Sequence, residues 1–162
     1  MVSAVFALAT ALAGCGQTAT RAEDRSAGAQ LEAAARTAGI VPDAGASLEG
    51  SWARDTDRVC VVGTGRTARI GVSIDYGEDQ GCAASGRVER SGDTLKLAFG
   101  ACAFDARLDG DRIVFPADVP QVCETLCTGR ASLAAVAVDR LSASRSEATA
   151  LRSSKGKPLC GD

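Results

Sequence analysis

The chain contains no histidine among its 162 residues. That removes the commonest general base near neutral pH and the commonest metal ligand. A Ser-His-Asp triad, a papain-like Cys-His pair and an HExxH zinc site are all excluded. Large aromatic side chains are also scarce: beyond the first 14 residues only Trp52, Tyr76, Phe99, Phe104 and Phe115 remain. A core so poor in them buries little apolar area per residue, so covalent staples would help it. No basic run is present, and 18 Lys and Arg face 20 Asp and Glu. Affinity for nucleic acid comes from a concentrated positive face, so that partner is not expected. After residue 14 no apolar stretch is long enough to span a bilayer. The length suits one domain.

What is present begins with residues 2–14 (VSAVFALATALAG), an apolar run with small residues toward its end, as in the core of a signal peptide. Leu12-Ala13-Gly14-Cys15 closes it. This string resembles the bacterial lipobox. The resemblance implies cleavage before Cys15 and a diacylglyceryl group on its thiol, with palmitate-type chains completing the anchor. Two or three acyl chains hold firmly, since each buried CH2 contributes roughly 0.8 kcal/mol. The segment departs from the family pattern in having no Lys or Arg before the apolar run. Residue 16 is Gly and not Asp, which in two-membrane bacteria resembles lipoproteins sorted to the outer membrane, facing the periplasm.

Residues 15–47 read as a tether rich in Ala, Gly, Thr and charge. Within it Ala29–Ala38 has high helix propensity but only Leu31 as a large apolar residue, with Gly39 and Pro42 to end it. Residues 48–162 change to short alternating segments broken by Gly and Asp, which predicts an all-β, antiparallel domain. The expected strands are Leu48–Ala53, Arg58–Val62, Ala68–Asp75, Cys82–Arg90, Thr94–Phe99, Cys102–Leu108, Arg112–Pro116 and Ala131–Leu141. A small closed barrel of about eight strands removes exposed edges; a β-sandwich is the alternative. Ser144 or Ser146 is placed to cap a short helix, Arg145–Arg152.

Two turns suggest registers. A turn at Asp109-Gly110 would set Leu108 opposite Asp111 and Phe104 opposite Phe115. A turn at Ser91-Gly92 would set Val88 opposite Leu95 and Ala84 opposite Phe99. With a β-bulge at Gly100-Ala101, Cys82 then comes opposite Cys102.

With Cys15 assigned to lipid, six cysteines remain: Cys60, Cys82, Cys102, Cys123, Cys127 and Cys160. An even number in an exported chain reads as a disulfide framework. The register favours Cys82–Cys102, leaving Cys60 and Cys160 each to join one of Cys123 and Cys127. The CxxxC of Cys123–Cys127 is not a thioredoxin-like CxxC.

Several strings invite chemistry. Gly63-Thr64-Gly65-Arg66-Thr67 lacks the following helix and GK[ST] of a phosphate loop and reads as a hairpin turn. Asp75, Glu78 and Asp79 offer oxygens for calcium or a carboxylate pair for hydrolysis, without EF-hand spacing; a solvated acidic loop is the preferred reading. Ser154–Lys157 fits SxxK without its partner motifs.

Leu48-Glu49-Gly50-Ser51-Trp52 resembles the LxGxW opening strand of small β-barrels: lipocalins, avidins and periplasmic metalloprotease inhibitors. The resemblance implies Trp52 at one barrel end, and the inhibitor family also follows that strand with a cysteine, as Cys60 does here. The expected function is a non-enzymatic envelope lipoprotein whose barrel binds another protein, in one form inhibiting a protease or lysozyme. The alternative is a small-hydrophobic-ligand carrier lined by Trp52, Phe99, Phe104 and Phe115. No catalytic residue, metal or cofactor is expected. The expected partners are the membrane, through the lipid, and an envelope protein.

Overall fold

Glycine decides where this chain reverses. The computed structural model describes residues 21–38 and 47–161, and the chain divides into two units, 1–41 and 42–162. In the second unit three tight hairpins each place a glycine first in a two-residue loop: Gly92-Asp93, Gly100-Ala101 and Gly110-Asp111. Their glycine φ values are 62°, 65° and 59°. A positive φ at the first loop position carries no steric cost only for glycine, and this turn geometry matches the twist of the flanking strands.

The strands are β1 (Gly50–Arg54), β2 (Asp57–Val62), β3 (Thr67–Asp75), β4 (Gly81–Ser91), β5 (Thr94–Phe99), β6 (Cys102–Asp109), β7 (Arg112–Val114), β8 (Cys127–Thr128) and β9 (Ala137–Ser142). Each pairs antiparallel with its chain neighbour from β1 to β7, and β9 bridges β7 and β1. The result is a closed eight-stranded meander barrel. The two-residue β8 adds beside the start of β4. Closure leaves the eight wall strands without free edges.

Alternation sends one face of each strand inward. Val59, Val61, Ile70, Val72, Ile74, Leu95, Ile113 and Val138 have no solvent-accessible surface. No space the size of a water molecule is left beside them, and the barrel is filled. Phe104 stacks edge-on against Phe115, centroids 5.1 Å apart, and lies 6.2 Å from Phe99.

Both ends are closed. The chain enters at Ser47–Glu49, and there Arg140, from β9, lies over Trp52 with its Cζ 4.1 Å from the ring centroid. Its guanidinium donates to the carbonyls of Ser47 and Glu49 and to Asp111. The opposite, far end is closed by the connector from β7 to β9. That connector carries a 3-10 turn, Gln121–Leu126, and buries Leu133, Ala131 and Val136.

Three disulfides hold this arrangement: Cys60–Cys160, Cys82–Cys127 and Cys102–Cys123. The last two fasten the far-end connector to β4 and β6. The first holds the C-terminal segment against the outer face of β2. There α2 (Arg145–Ala150), capped by Ser144, and Leu159 cover a second small cluster with Cys60, Ala148 and Cys160. Gly71 makes this possible. A Cβ there would lie 2.6 Å from the Leu159 Cβ and 2.7 Å from its carbonyl oxygen. Gly71→Ala is expected to displace the tail and to cost about 1–3 kcal/mol, read as a lower urea midpoint with faster reduction of Cys60–Cys160. An unchanged midpoint would show that the tail is loosely held.

Several expectations are corrected. The loops are Gly92-Asp93 and Gly110-Asp111, so Val88 pairs with Leu97 and Leu108 with Ile113. Each slip moves a partner by two residues, so the inward faces survive. It also removes Asp111 from a position across from buried Leu108. Gly100-Ala101 is a reversal and not a bulge, which runs β6 back along β5 and takes Cys102 away from Cys82. The Cys82–Cys102 pairing is therefore replaced by Cys82–Cys127 and Cys102–Cys123, and Cys60 joins Cys160 directly. Of Ala131–Leu141 only the second half is strand, because the first half is drawn inward as part of the plug. Strand β7 ends before Pro116, and α2 ends at Ala150, where Arg152 instead bridges to Pro158.

In the first unit, α1 spans Arg21–Thr37, eight residues earlier than the predicted start at Ala29. Its N-terminal half is itself rich in strong helix formers, and Leu31 is exposed. Cys15, Gly39 and Pro42 lie outside the described residues.

Candidate functional site

The far end gathers features that the sequence scatters. The β3–β4 loop, Tyr76–Gln80, begins where the Asp75 carboxylate accepts the Gly77 N–H at 2.9 Å. The chain then passes through positive φ at three successive residues: Gly77 (74°), Glu78 (47°) and Asp79 (61°). For Glu78 and Asp79 this conformation is sterically costly and persists only when the surroundings impose it. Here they do. The Thr128 hydroxyl donates to the Asp79 carbonyl, Tyr76 N–H donates to Gln80 O at 2.8 Å, and Gln80 N–H donates to Gly77 O at 2.8 Å. Thr128 is itself fixed beside β4 by the Cys82–Cys127 bond. The loop is braced, and it holds Tyr76 58% exposed.

Among the described residues, the non-glycine ones with positive φ are Asp55, Glu78, Asp79 and Ala135. All four lie in connections at this end. Beside the loop is a cleft of about 340 Å³ that Glu78, Asp79 and Gln80 share with Leu126, Ser154 and Lys155. The acidic loop and the Ser154–Lys157 string, more than 70 residues apart in sequence, thus meet. Val122, also exposed, sits on the 3-10 turn nearby. Asp75, Glu78 and Asp79 do not converge on a common point; among the described residues no group of three or more Asp, Glu or Cys is placed to hold a metal. The Gly63–Arg66 string is the β2–β3 turn at the entry end, its Gly63 N–H bound by the Glu49 carboxylate at 2.7 Å.

One carboxylate at the far end is misplaced energetically. Asp57 has a buried Oδ1 without a hydrogen-bond partner. Burial, then the charge of Asp55, pushes its pKa up, against the opposing charge of Arg58. A raised folded-state value favours folding at low pH, and that contribution is lost as pH rises through it. Asp57→Asn is thus expected to raise the unfolding midpoint at pH 7 and to change it little at pH 3. Asp139 has the opposite sign: hydrogen bonds from Arg112 and Arg54 hold its pKa down. Its contribution is present above the ordinary carboxylate range and is lost as pH falls through its depressed value.

Trp52, Phe99, Phe104 and Phe115, expected as cavity lining in a carrier, pack the filled interior instead. The sequence signal for the braced loop was weak. Asp75, Glu78 and Asp79 marked an acidic loop, but only its bracing by Thr128 distinguishes it from a solvated one.

Fold and site together define a closed, disulfide-stapled meander barrel that displays a rigid acidic loop with one exposed tyrosine. No family model, no curated protein and no solved structure matches the chain.

Proposed function

We propose that this chain is an exported lipoprotein, anchored through Cys15 to the outer membrane on its periplasmic side. Its barrel is a non-enzymatic binding domain that contacts another envelope protein through the Tyr76–Gln80 loop. The observation that carries the reading is the braced, strained loop with its exposed tyrosine. Preorganisation reduces the entropy lost on association, and tyrosine is among the residues that dominate binding energy at interfaces. The filled interior supports this reading over a ligand carrier. Three disulfides support an oxidising compartment.

Charge narrows the partner. Glu78 and Asp79, exposed, and half-buried Asp75 lie at one end with Asp55 and Glu124 on neighbouring connections, and together they outnumber Lys155 and Lys157 on the same cleft. Such a surface steers a basic protein, which favours lysozyme or a basic protease as the inhibited enzyme. The test titrates the full chain against a panel of lysozymes and periplasmic proteases at low and moderate salt. Inhibition of one class is expected, weakening with salt. Tyr76→Ala should reduce affinity by about 30-fold or more, the loss of a single dominant contact. A panel with no inhibition and no binding would remove the reading. For the anchor, the mature protein from its host should begin at Cys15 with acyl mass added, and Cys15→Ser should release it from the membrane.

A further inference from the structure

Exposure sets Cys127 apart from the other cysteines of the barrel unit. Cys60, Cys82, Cys102, Cys123 and Cys160 are each at most 2% exposed, whereas Cys127 is half-buried at the margin of the core. In thiol–disulfide exchange a thiolate must reach a sulfur, so access helps decide which bond reacts first. Cys60–Cys160 lies under α2 and Leu159, and Cys102–Cys123 joins two buried residues. Cys82–Cys127 has one partner open to solvent, and Cys82 itself lines the cleft beside the tyrosine loop.

The same bond holds the brace of that loop. The far-end connector is anchored at Cys123, through Cys102, and again at buried Ala131. Between those anchors residues 124–130 are exposed or half-buried. They meet β4 through the Cys82–Cys127 bond and a ladder of two residue pairs, Gly81 with Thr128 and Cys82 with Cys127. So short a ladder supplies little stability by itself, since the net worth of each backbone hydrogen bond is small. From β8 the Thr128 hydroxyl donates to the Asp79 carbonyl and accepts the Gly81 N–H at 3.3 Å. Beside it, Gly129 is so close to the loop that a Cβ there would lie 2.5 Å from Gln80 Cγ. Glu78 and Asp79 keep their positive φ only while such contacts impose it. β4 has its own long ladders to β3 and β5, which do not involve β8.

We propose that Cys82–Cys127 is a redox switch for the Tyr76–Gln80 loop, opened by a dithiol reductant while the barrel persists. One thiolate of the reductant attacks the Cys127 Sγ, forming a mixed disulfide as the Cys82 thiolate leaves. The second thiol of the reductant attacks the mixed disulfide, closes its own internal disulfide and releases the Cys127 thiolate. The two released thiolates take up the protons that the reductant gave up, so two electrons and two protons pass to the protein. β8 then leaves β4, Thr128 leaves Asp79, and the loop relaxes. The oxidised form of a dithiol, acting by the reverse steps, restores the brace. The effect on partner affinity rests on the protein-binding reading above, because a relaxed loop loses the benefit of preorganisation. The opening of the loop does not rest on it.

The test treats the native full chain with graded dithiothreitol, alkylates the freed thiols and maps them by peptide mass. Amide hydrogen exchange is followed on the same samples. Cys82 and Cys127 should be labelled about tenfold faster or more than the other two pairs. Exchange at residues 76–81 should then rise about tenfold or more, with amides of β5 and β6 unchanged. Thr128→Val keeps the disulfide and removes the hydroxyl. It should raise loop exchange in the oxidised protein and leave the order of labelling as it is. The proposal is overturned if another pair opens first, or if the loop amides stay protected once Cys82 and Cys127 are free. It is equally overturned if β5 and β6 lose protection together with the loop, or if Thr128→Val leaves loop exchange unmoved. Exchange is read without any partner, so an inhibition panel that fails bears on the binding reading alone.

Discussion

Replacing Trp52 by alanine is expected to destabilise the barrel by about 3–5 kcal/mol, the largest effect of any single side chain here. Trp52 has no accessible surface, and its Nε1 donates to the Leu48 carbonyl at 3.3 Å. The loss is more than a cavity. Arg140 rests on the indole face and reaches from there to the Ser47 and Glu49 carbonyls and to Asp111. One stacked pair thus joins the entering chain, β1, β9 and the β6–β7 turn. Without the ring, the guanidinium stands over a void and its bonds to the entering segment loosen. Trp52→Phe keeps an aromatic face and loses the Nε1 bond, so it should cost less. Urea unfolding followed by circular dichroism measures both, since the chain has no other tryptophan to report. If the Trp52→Ala and Arg140→Ala losses simply add in the double variant, the two side chains do not act as a unit.

The second large effect concerns Cys60–Cys160. Its partners are 100 residues apart, against 45 for Cys82–Cys127 and 21 for Cys102–Cys123. Restriction of the unfolded chain grows with the logarithm of loop length. The double variant Cys60→Ala/Cys160→Ala should lose about 4–5 kcal/mol, and Cys102→Ala/Cys123→Ala about 1.4 kcal/mol less. There is also a local consequence. The tail and α2 cover Cys60 and half-buried Val62, and freeing the tail bares that apolar flank. Non-reducing peptide mapping should recover the three pairs as stated, and denaturation midpoints should fall in the order of loop length. Equal midpoints would show that native packing, not chain entropy, sets the contribution of each bond.

Much of the architecture was legible because it is periodic. Alternation in Thr94–Phe99 or Ala68–Asp75 names a half-buried strand without any knowledge of its neighbours. An all-β chain with eight such segments has few ways to bury every inward face. Trp52 was legible for a similar reason: a large indole in an opening strand beside glycine has one stable place, inside. The far-end loop was not. Asp75, Glu78 and Asp79 looked like a solvated acidic turn, and nothing local announced Thr128 or Lys155 beside it. Those residues arrive only because the Cys82–Cys127 bond and the C-terminal tail bring distant segments to one end.

The alternating pattern and the even set of cysteines after Cys15 were enough, by themselves, to indicate a stapled all-β antiparallel domain and the inward face of each strand, with a barrel expected and a β-sandwich left as the alternative. They were not enough to choose partners. Ser91-Gly92 and Gly92-Asp93 are both acceptable two-residue loops, as are Asp109-Gly110 and Gly110-Asp111, and their local energies are close. Only the assembled barrel decides, because one choice sets Asp111 across from buried Leu108 and the other pairs Leu108 with Ile113. Cysteine pairing followed from that choice and from the reversal at Gly100. Register and long-range closure are properties of the whole sheet, in which burial accumulates over many residues. A four-residue window contains too little of that energy to reveal them.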